Sequence, residues 1–412
     1  MSSSGRPGEA MLTGRKYRVV FTAEQAALAE ETGAACRAVW NTALEQRREY
    51  RRRYAWIGYQ QQARELAEAK AEHEWLKHAP SHCLQQTLMD LDRACRERGT
   101  FKVRWRSSRR WSPSFRFPDP KQITVQRLGR RWGRVKLPKL GCVRFRWSRA
   151  LGGTVRSATV SRDGNHWYVS FLVEDGQVGP DRHACASAVG VDRGVAVAVA
   201  CSDGGMYDRA FTGAGERKRY RKLQQKLARQ KKIGATRKRT LAAMRVLKRR
   251  ERDRRQDFAA QVANRLATLH GTVVLEELHT RGMTASAKGT ITEPGRRVAQ
   301  KAGLNRAILA KGWHRLELAL RNAARYTGAQ IVKVSAAYTS LTCSRCLHVD
   351  PKSRESQARF RCTSCGHCEN ADVNAAKNIL AAGLAVTACG DLAVRRSVKQ
   401  EPPTVKVGIP RL

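Results

Sequence analysis

Acidic residues are scarce in this chain. Its 412 residues include 35 Asp and Glu against 79 Lys and Arg, a net charge of +44. That shortage argues against an ordinary soluble metabolic enzyme, because so basic a chain repels itself unless a polyanion neutralises it. Nucleic acid is the polyanion that fits, since each phosphate met by Lys or Arg releases condensed counterions. Long apolar runs are also missing. The stretch from Val195 to Cys201 falls far short of the roughly 18 residues a bilayer span requires. No basic amphipathic stretch carries an apolar face suited to lipid. The opening MSSSGRPGEAMLTGRK lacks the apolar centre of a secretory signal, and there is no internal repeat. Together these absences predict a cytosolic protein with no membrane contact. Hydrophobic residues, at 42%, are plentiful enough for packed cores.

Residues 1–15 are polar and read as a disordered lead-in. Tyr17 to Phe21 reads as a strand, and Thr22 with Gln25 makes a capping box. Leu28, Ala35, Val39 and Ala43 then recur at helical spacing, so a helix is expected to about Tyr54. Further helical stretches near 59–74 and 84–98 complete a helical unit over 23–99. Residues 101–150 carry 16 Lys or Arg against one acid, Asp119. Phe101, Trp105, Trp111, Phe115, Phe117, Trp132, Phe145 and Trp147 are interleaved among them. Short alternating runs at 124–128, 134–137 and 143–147 predict strands. Asp163-Gly164-Asn165 predicts the turn of a hairpin. Two readings of this region stand: rings that stack on bases while Arg meets phosphate, or a small β-barrel whose rings fill its core. The single sign of charge favours the first, because a merely solvated face mixes both signs.

From about Ser187 the pattern is that of a mixed α/β fold. Strands are expected at 188–192, 195–201, 272–275 and 330–334. Helices are expected over 216–269, broken at Gly234-Ala-Thr236, and over 304–326. The alternation implies a mostly parallel, covered sheet. Residues 216–255 hold 19 Lys or Arg and three acids, a density that phosphates would relieve. Residues 385–412, with Pro402-Pro403, read as a flexible tail.

Two constellations carry chemistry. Five of the twelve cysteines crowd between Cys343 and Cys368. Cys343, Cys346, Cys362 and Cys365 have the spacing C-x2-C-x15-C-x2-C, which aims two thiolate pairs at one point and predicts a structural zinc ion in a closed site. His348, His367 and Cys368 lie nearby as substitute ligands, or as a solvated pair and a spare thiol. The second constellation is three acids at the ends of expected elements: Asp192 in VGVDRG, Glu276 in VVLE and Asp372 in ADVNAAKN. Singly, they could be a turn residue, a surface acid and an N-cap. Together, carboxylates from separate elements can converge on hard divalent cations. Two such ions, Mg²⁺, can bind both the attacking and leaving oxygens of a phosphodiester displacement.

The segments GVDRG, VVLEELHTRGM, the two CxxC pairs and ADVNAAKNIL, in this order, resemble the RuvC-like half of the TnpB family of transposon-encoded, RNA-guided DNA endonucleases, which are similar to miniature type V CRISPR effectors. Gly303-Leu-Asn305-Arg306, Thr339-Ser-Leu-Thr-Cys343 and Trp40-Asn41 join the match, which spans about 17–384. The resemblance implies an RNase H-like (RuvC) nuclease over 179–338 and 369–384 with a zinc ribbon inserted at 339–368. It implies a wedge β-barrel over 16–22 and 100–178, interrupted by the helical recognition unit. It maps the family's three metal-binding acids onto Asp192, Glu276 and Asp372. It implies a guide RNA as resident partner, target double-stranded DNA, a short motif beside the target, and a bacterial, nucleoid-associated location; a monomer is the expected state. Three departures appear: Asn370-Ala371 replaces an Asp-Arg pair that many relatives carry before the last acid, Leu347 stands where Gly is frequent, and Glu277 adjoins Glu276. Glu276 is preferred because it follows the strand and aligns with the family's acid, and strand alternation turns Glu277 away from the same site. An RNA-guided repressor without cleavage, a CRISPR effector and a transposase proper are the competing readings.

Overall fold

The computed structural model describes residues 11–396 apart from 109, 110, 232, 291 and 336, with side chains described to residue 387. The expectations for 1–10 and 397–412 lie outside these residues. The chain divides after Val178 into two compact units.

The first unit opens with strand β1 (Leu12–Val20) and continues through helices α1 (Ala23–Arg52), α2 (Tyr59–Glu72), α3 (Glu74–His78) and α4 (Ser81–Arg98). Strands β2 (Ser114–Phe117), β3 (Thr124–Arg127), β4 (Trp132–Leu137), β5 (Gly141–Arg146), β6 (Thr154–Asp163) and β7 (His166–Glu174) follow. The seven strands form one antiparallel sheet in the order β2-β6-β7-β1-β5-β4-β3, with no pairing of β2 to β3 among the described residues to close it into a ring. Thr22 and Gln25 do form the capping box of α1. Residues 12–15 are strand, not disordered lead-in: Leu12 to Val19 pair residue by residue with Glu174 to Trp167 of β7. Their polar side chains concealed a strand whose existence depends on its partner.

The aromatic run divides. Phe115, Phe117 and Phe145 are buried in a core shared with α1 and α4. There Tyr17 meets Phe145 with ring centroids 5.2 Å apart. For these rings the core reading holds. Phe101 and Trp105 are exposed, while Trp132 is stacked by Arg144 and Arg146 at 4.7 and 4.1 Å. Gly33 of α1 is required by close approach, because a Cβ there would sit 2.5 Å from Pro113 Cβ, just before β2.

The second unit contains β8 (Ala188–Asp192), β9 (Val199–Cys201), β10 (Met206–Tyr207), α5 (Ala214–Ala228), α6 (Ala235–Leu269), β11 (Thr272–Glu276), α7 (Thr280–Met283), α8 (Val298–Lys311), α9 (Trp313–Thr327), β12 (Gln330–Val334), β13 (Arg359–Arg361), β14 (Cys368–Asn370) and α10 (Ala371–Arg396). The main sheet has the order β10-β9-β8-β11-β12. β8, β11 and β12 run parallel, whereas β8, β9 and β10 form an antiparallel meander. The sheet is therefore mixed rather than mostly parallel, because the links from β8 to β10 are too short for crossovers. Alternation along β11 serves both faces: Val273 and Leu275 pack with Phe258 and Val262 of α6 and Leu316 and Leu320 of α9, while Val274 packs with Ile379 of α10.

Three boundaries differ from the sequence pattern. The strand expected at 195–201 shortens to β9. The helix expected at 304–326 is two helices, divided by Gly312 at φ +71°. Helix α10 continues to Arg396 rather than ending near 384. Leu380 and Ala382 pack on the Val274 and Val334 face, and no proline interrupts the sequence from there to Arg396. No helix among the described residues is long and apolar enough to cross a membrane.

Candidate active site

Parallel pairing puts Val191 of β8 beside Leu275 of β11, so the next residues, Asp192 and Glu276, emerge together at one edge of the sheet. Helix α10 brings the third acid. Gly190 lets it approach: a Cβ there would lie 2.0 Å from the Ala376 carbonyl oxygen and 2.7 Å from the Leu380 nitrogen. The first turn of α10 then reaches the same edge, where Asp372 Oδ2 lies 3.9 Å from where a Cβ on Gly194 would be. Asn370 caps the helix, its Oδ1 accepting from the N–H groups of Asp372 at 2.9 Å and Val373 at 3.2 Å. The Asp372 carboxylate is thus spared from capping, and Asn370 has a structural use.

Glu276 and Asp372 are each 7% exposed, while Glu277 is exposed. Burial, then the charges of Glu276 and Asp372, push the Asp192 carboxyl up to about 7, against Arg354 and the Arg193 N–H. Burial also raises Glu276, opposed by a hydrogen bond from Thr339 Oγ1 at 2.5 Å and by the Arg193 charge. Burial raises Asp372 too, opposed by Arg354, whose Nη2 is 3.2 Å from Oδ1. All three carboxyls are raised chiefly by burial, and only at Asp192 do the neighbouring acids add to it, so a divalent cation would supply the charge that lost water no longer screens.

Supporting residues escaped the sequence reading. Buried Arg193 donates to the Glu276 carbonyl and faces Glu317 at 3.8 Å. The Trp313 indole donates to the Gly194 carbonyl at 3.2 Å, pinning the turn after Asp192. Asn374 Nδ2 donates to the Thr342 carbonyl at 2.8 Å, and Asn378 Nδ2 donates to Thr339 and Thr342 at 2.9 and 2.7 Å. The i, i+4 spacing of Asn374 and Asn378 was a readable sign that both face one side. Arg354 and Thr339 had no local sign, because their partners are 18 and 63 residues distant.

The cysteines form two matching knuckles. Leu347 N–H donates to the Cys343 carbonyl, and Gly366 N–H to the Cys362 carbonyl, each at 3.0 Å. Cys343 and Cys362 N–H groups donate to the carbonyls of His348 and His367, each at 2.9 Å. The sulfurs of Cys343, Cys346, Cys362 and Cys365 all lie within 4.8 Å of one another, with Cys343–Cys365 at 3.7 Å and Cys346–Cys362 at 3.5 Å. A tetrahedron with metal–sulfur bonds of about 2.3 Å has edges of about 3.8 Å, so the four thiols fit a zinc ion. Backbone N–H groups of Cys365 and Ser364 lower the Cys362 thiol, while its hydrogen-bonded partner Cys346 is raised, so the proton of this pair stays on Cys346. His348, His367 and Cys368 fall outside this set among the described residues. His367 Nε2 instead lies 3.4 Å from Glu369.

Comparison with known proteins follows the same layout. A family described as probable transposase matches residues 170–287, and the TNB domain of Cas12f1-like proteins matches residues 313–379. A helix-turn-helix domain family matches residues 11–55, although that segment here is strand β1 followed by the single helix α1. A solved Cas12f1–sgRNA–target DNA complex aligns over 90% of this chain and 98% of that one, with a TM-score of 0.56 at 12% identity, which is a likeness of fold. The Streptomyces pristinaespiralis protein named "Putative RNA-guided DNA endonuclease" is 32% identical over 416 residues, 96% of this chain and 98% of that protein. The Escherichia coli K12 protein named "Putative RNA-guided DNA endonuclease InsQ" is 37% identical over 376 residues, 89% of this chain and 92% of that protein. With that identity sustained over nearly the full length of both proteins, the chain belongs to the TnpB family.

Proposed function

We propose that this chain is an RNA-guided, Mg²⁺-dependent DNA endonuclease that cuts DNA matched to a bound guide RNA beside a short recognition motif. The observation that carries the reading is the convergence of Asp192, Glu276 and Asp372 from two strands and a helix into one buried carboxylate cleft. The strand order of the second unit and the names of the relatives support assigning it as a RuvC-like nuclease, with 339–368 as an inserted zinc ribbon. The first unit is assigned as the wedge, built on its seven-stranded sheet, and the recognition helices.

Asp192, Glu276 and Asp372 would hold two Mg²⁺ ions. Bound there, the ions supply Lewis acidity for phosphodiester hydrolysis. The protein's own groups set the geometry: Thr339 orients Glu276, Arg354 orients Asp372, and Arg193 fixes the backbone at Glu276. Lys and Arg of 101–150 and of α5 and α6 would hold the RNA and heteroduplex backbones.

The test is to purify the protein with its co-expressed RNA and supply matched target DNA with Mg²⁺. Asp192→Ala, Glu276→Gln and Asp372→Ala should each abolish cutting and leave RNA binding intact, while Glu277→Gln should cut normally. Undiminished cutting by any of the first three would overturn that residue's assignment. Target binding without cleavage by the unaltered protein would favour an RNA-guided repressor.

A further inference from the structure

The second unit carries a groove of about 670 Å³ between the loop before α5 and helices α5, α6 and α8, to which the nuclease reading assigns backbone contacts along α5 and α6 but no base. Its floor is apolar. Phe211 and Leu247 are buried in it, Tyr220 adds a ring, and Leu309 lines it while remaining 56% exposed. The acids at its rim are neutralised from within the protein. Asp208 is bound by Lys311 at 2.6 Å, Glu216 by both ends of the Arg254 guanidinium at 2.5 and 3.1 Å, and Glu251 by Lys248 at 2.8 Å. Arg221 and Arg306 also line it, exposed and without an acidic partner among the described residues. An apolar floor under a net cationic rim is the combination that a nucleotide presents in reverse: a flat base and an anionic phosphate.

We propose that this groove seats one unpaired nucleotide of the guide RNA, with its base against Tyr220 and Leu309 and its phosphates against Arg221 and Arg306. The volume falls within the roughly 300–1,000 Å³ of sites that enclose small organic ligands. Charge disfavours the C-terminal segment and a second copy as occupants. Residues 397–412 contain Lys399, Lys406 and Arg411 against Glu401, and a second copy carries the same net +44. The guide is favoured over DNA because it is the strand the protein carries before any target is met, so a groove already formed in the free protein is filled at assembly. This inference rests on the RNA-guided reading.

The experiment uses the full chain purified with its RNA. Irradiation at short ultraviolet wavelength followed by peptide mass spectrometry should find a ribonucleotide adduct on the peptide containing Tyr220. Leu309→Asp and the pair Arg221→Ala with Arg306→Ala should remove the adduct and weaken RNA binding about tenfold. These side chains are exposed, so the thermal midpoint should hold. If it falls, Tyr220→Phe, which keeps the ring, must retain both adduct and affinity. A parallel arm supplies unpaired DNA of the same sequence. RNA binding with Tyr220 and Phe211 unmodified, or adducts there from DNA in preference, would overturn the proposal. Cleavage is not read, so failure here leaves the nuclease reading standing. An unaltered protein that retains no discrete RNA would instead overturn that reading and this one with it.

Discussion

Replacing Gly190 by alanine tests how the carboxylate cleft is assembled. The added Cβ would lie 2.0 Å from the Ala376 carbonyl oxygen, 2.7 Å from the Leu380 nitrogen and 2.9 Å from Leu380 Cβ. The first two are backbone atoms one turn apart in α10, so no rotamer change relieves the contact. Ordinary contact begins at 3.4 Å, so α10 must retreat from β8 by about 1.4 Å, or β8 must buckle equally. Asp372 rides on the first turn of the same helix and moves with it. Overpacking of this kind costs about 1–3 kcal/mol of stability, and a misplacement of about 1 Å at a reacting centre costs on the order of a hundredfold in rate. Single-turnover cleavage of matched DNA with saturating Mg²⁺ should therefore fall about a hundredfold, with unfolding shifted to lower temperature. Gly215→Ala is the control, because nothing lies within 4 Å of its added Cβ, and it should cut as the unaltered protein does. A Gly190→Ala protein that cut within twofold of the unaltered rate would refute the view that close strand–helix approach sets the acid geometry.

Two further outcomes are expected. Leu347 adopts φ +62° at the end of the first knuckle, where Gly366 adopts +72° in the second. Leu347→Gly should therefore stabilise the knuckle by about 1 kcal/mol, read as slower zinc loss to a chelator. Without metal, Asp192 has its carboxyl raised from 3.8 to about 7. The protonated form favours folding, so stability is fully present below about pH 4 and is lost as pH rises through about 7. Thermal midpoints should then show Mg²⁺ stabilising the protein more at pH 8 than at pH 5, and equal stabilisation at both would count against a shared cation site.

Elements with a strong local pattern were legible. The capping box at Thr22, the hairpin turn at Gly164 and the buried strand at Thr272–Glu276 each specify themselves through neighbours in sequence. The cysteine spacing did the same for the thiolate centre. Features that depend on distant partners were not legible. Strand pairing at Leu12–Arg15 exists because β7 is there. The burial of Phe115, Phe117 and Phe145 follows from a core closed by α1 and α4, while the same ring type at Phe101 stays exposed. Of the cleft, the acids were readable as strand and helix ends. Arg354 and Thr339 were not, because only the folded chain brings them to Asp372 and Glu276.

The asparagine pair on α10 has a thermodynamic consequence. Asn374 and Asn378 grip the carbonyls of Thr339 and Thr342, Asn374 also accepts from the Ser344 N–H at 2.9 Å, and Thr339 holds Glu276. The first knuckle, the carboxylate cleft and the helix carrying Asp372 therefore share one set of bonds. An ion held among the thiolates and cations held at the carboxylates would be coupled ligands of one network. Whatever factor one contributes to the other's affinity must be returned in equal measure. Chelator titration of the thiolate ion would then shift with Mg²⁺ concentration, and Mg²⁺ affinity would shift by the same factor with the thiolate ion present or removed.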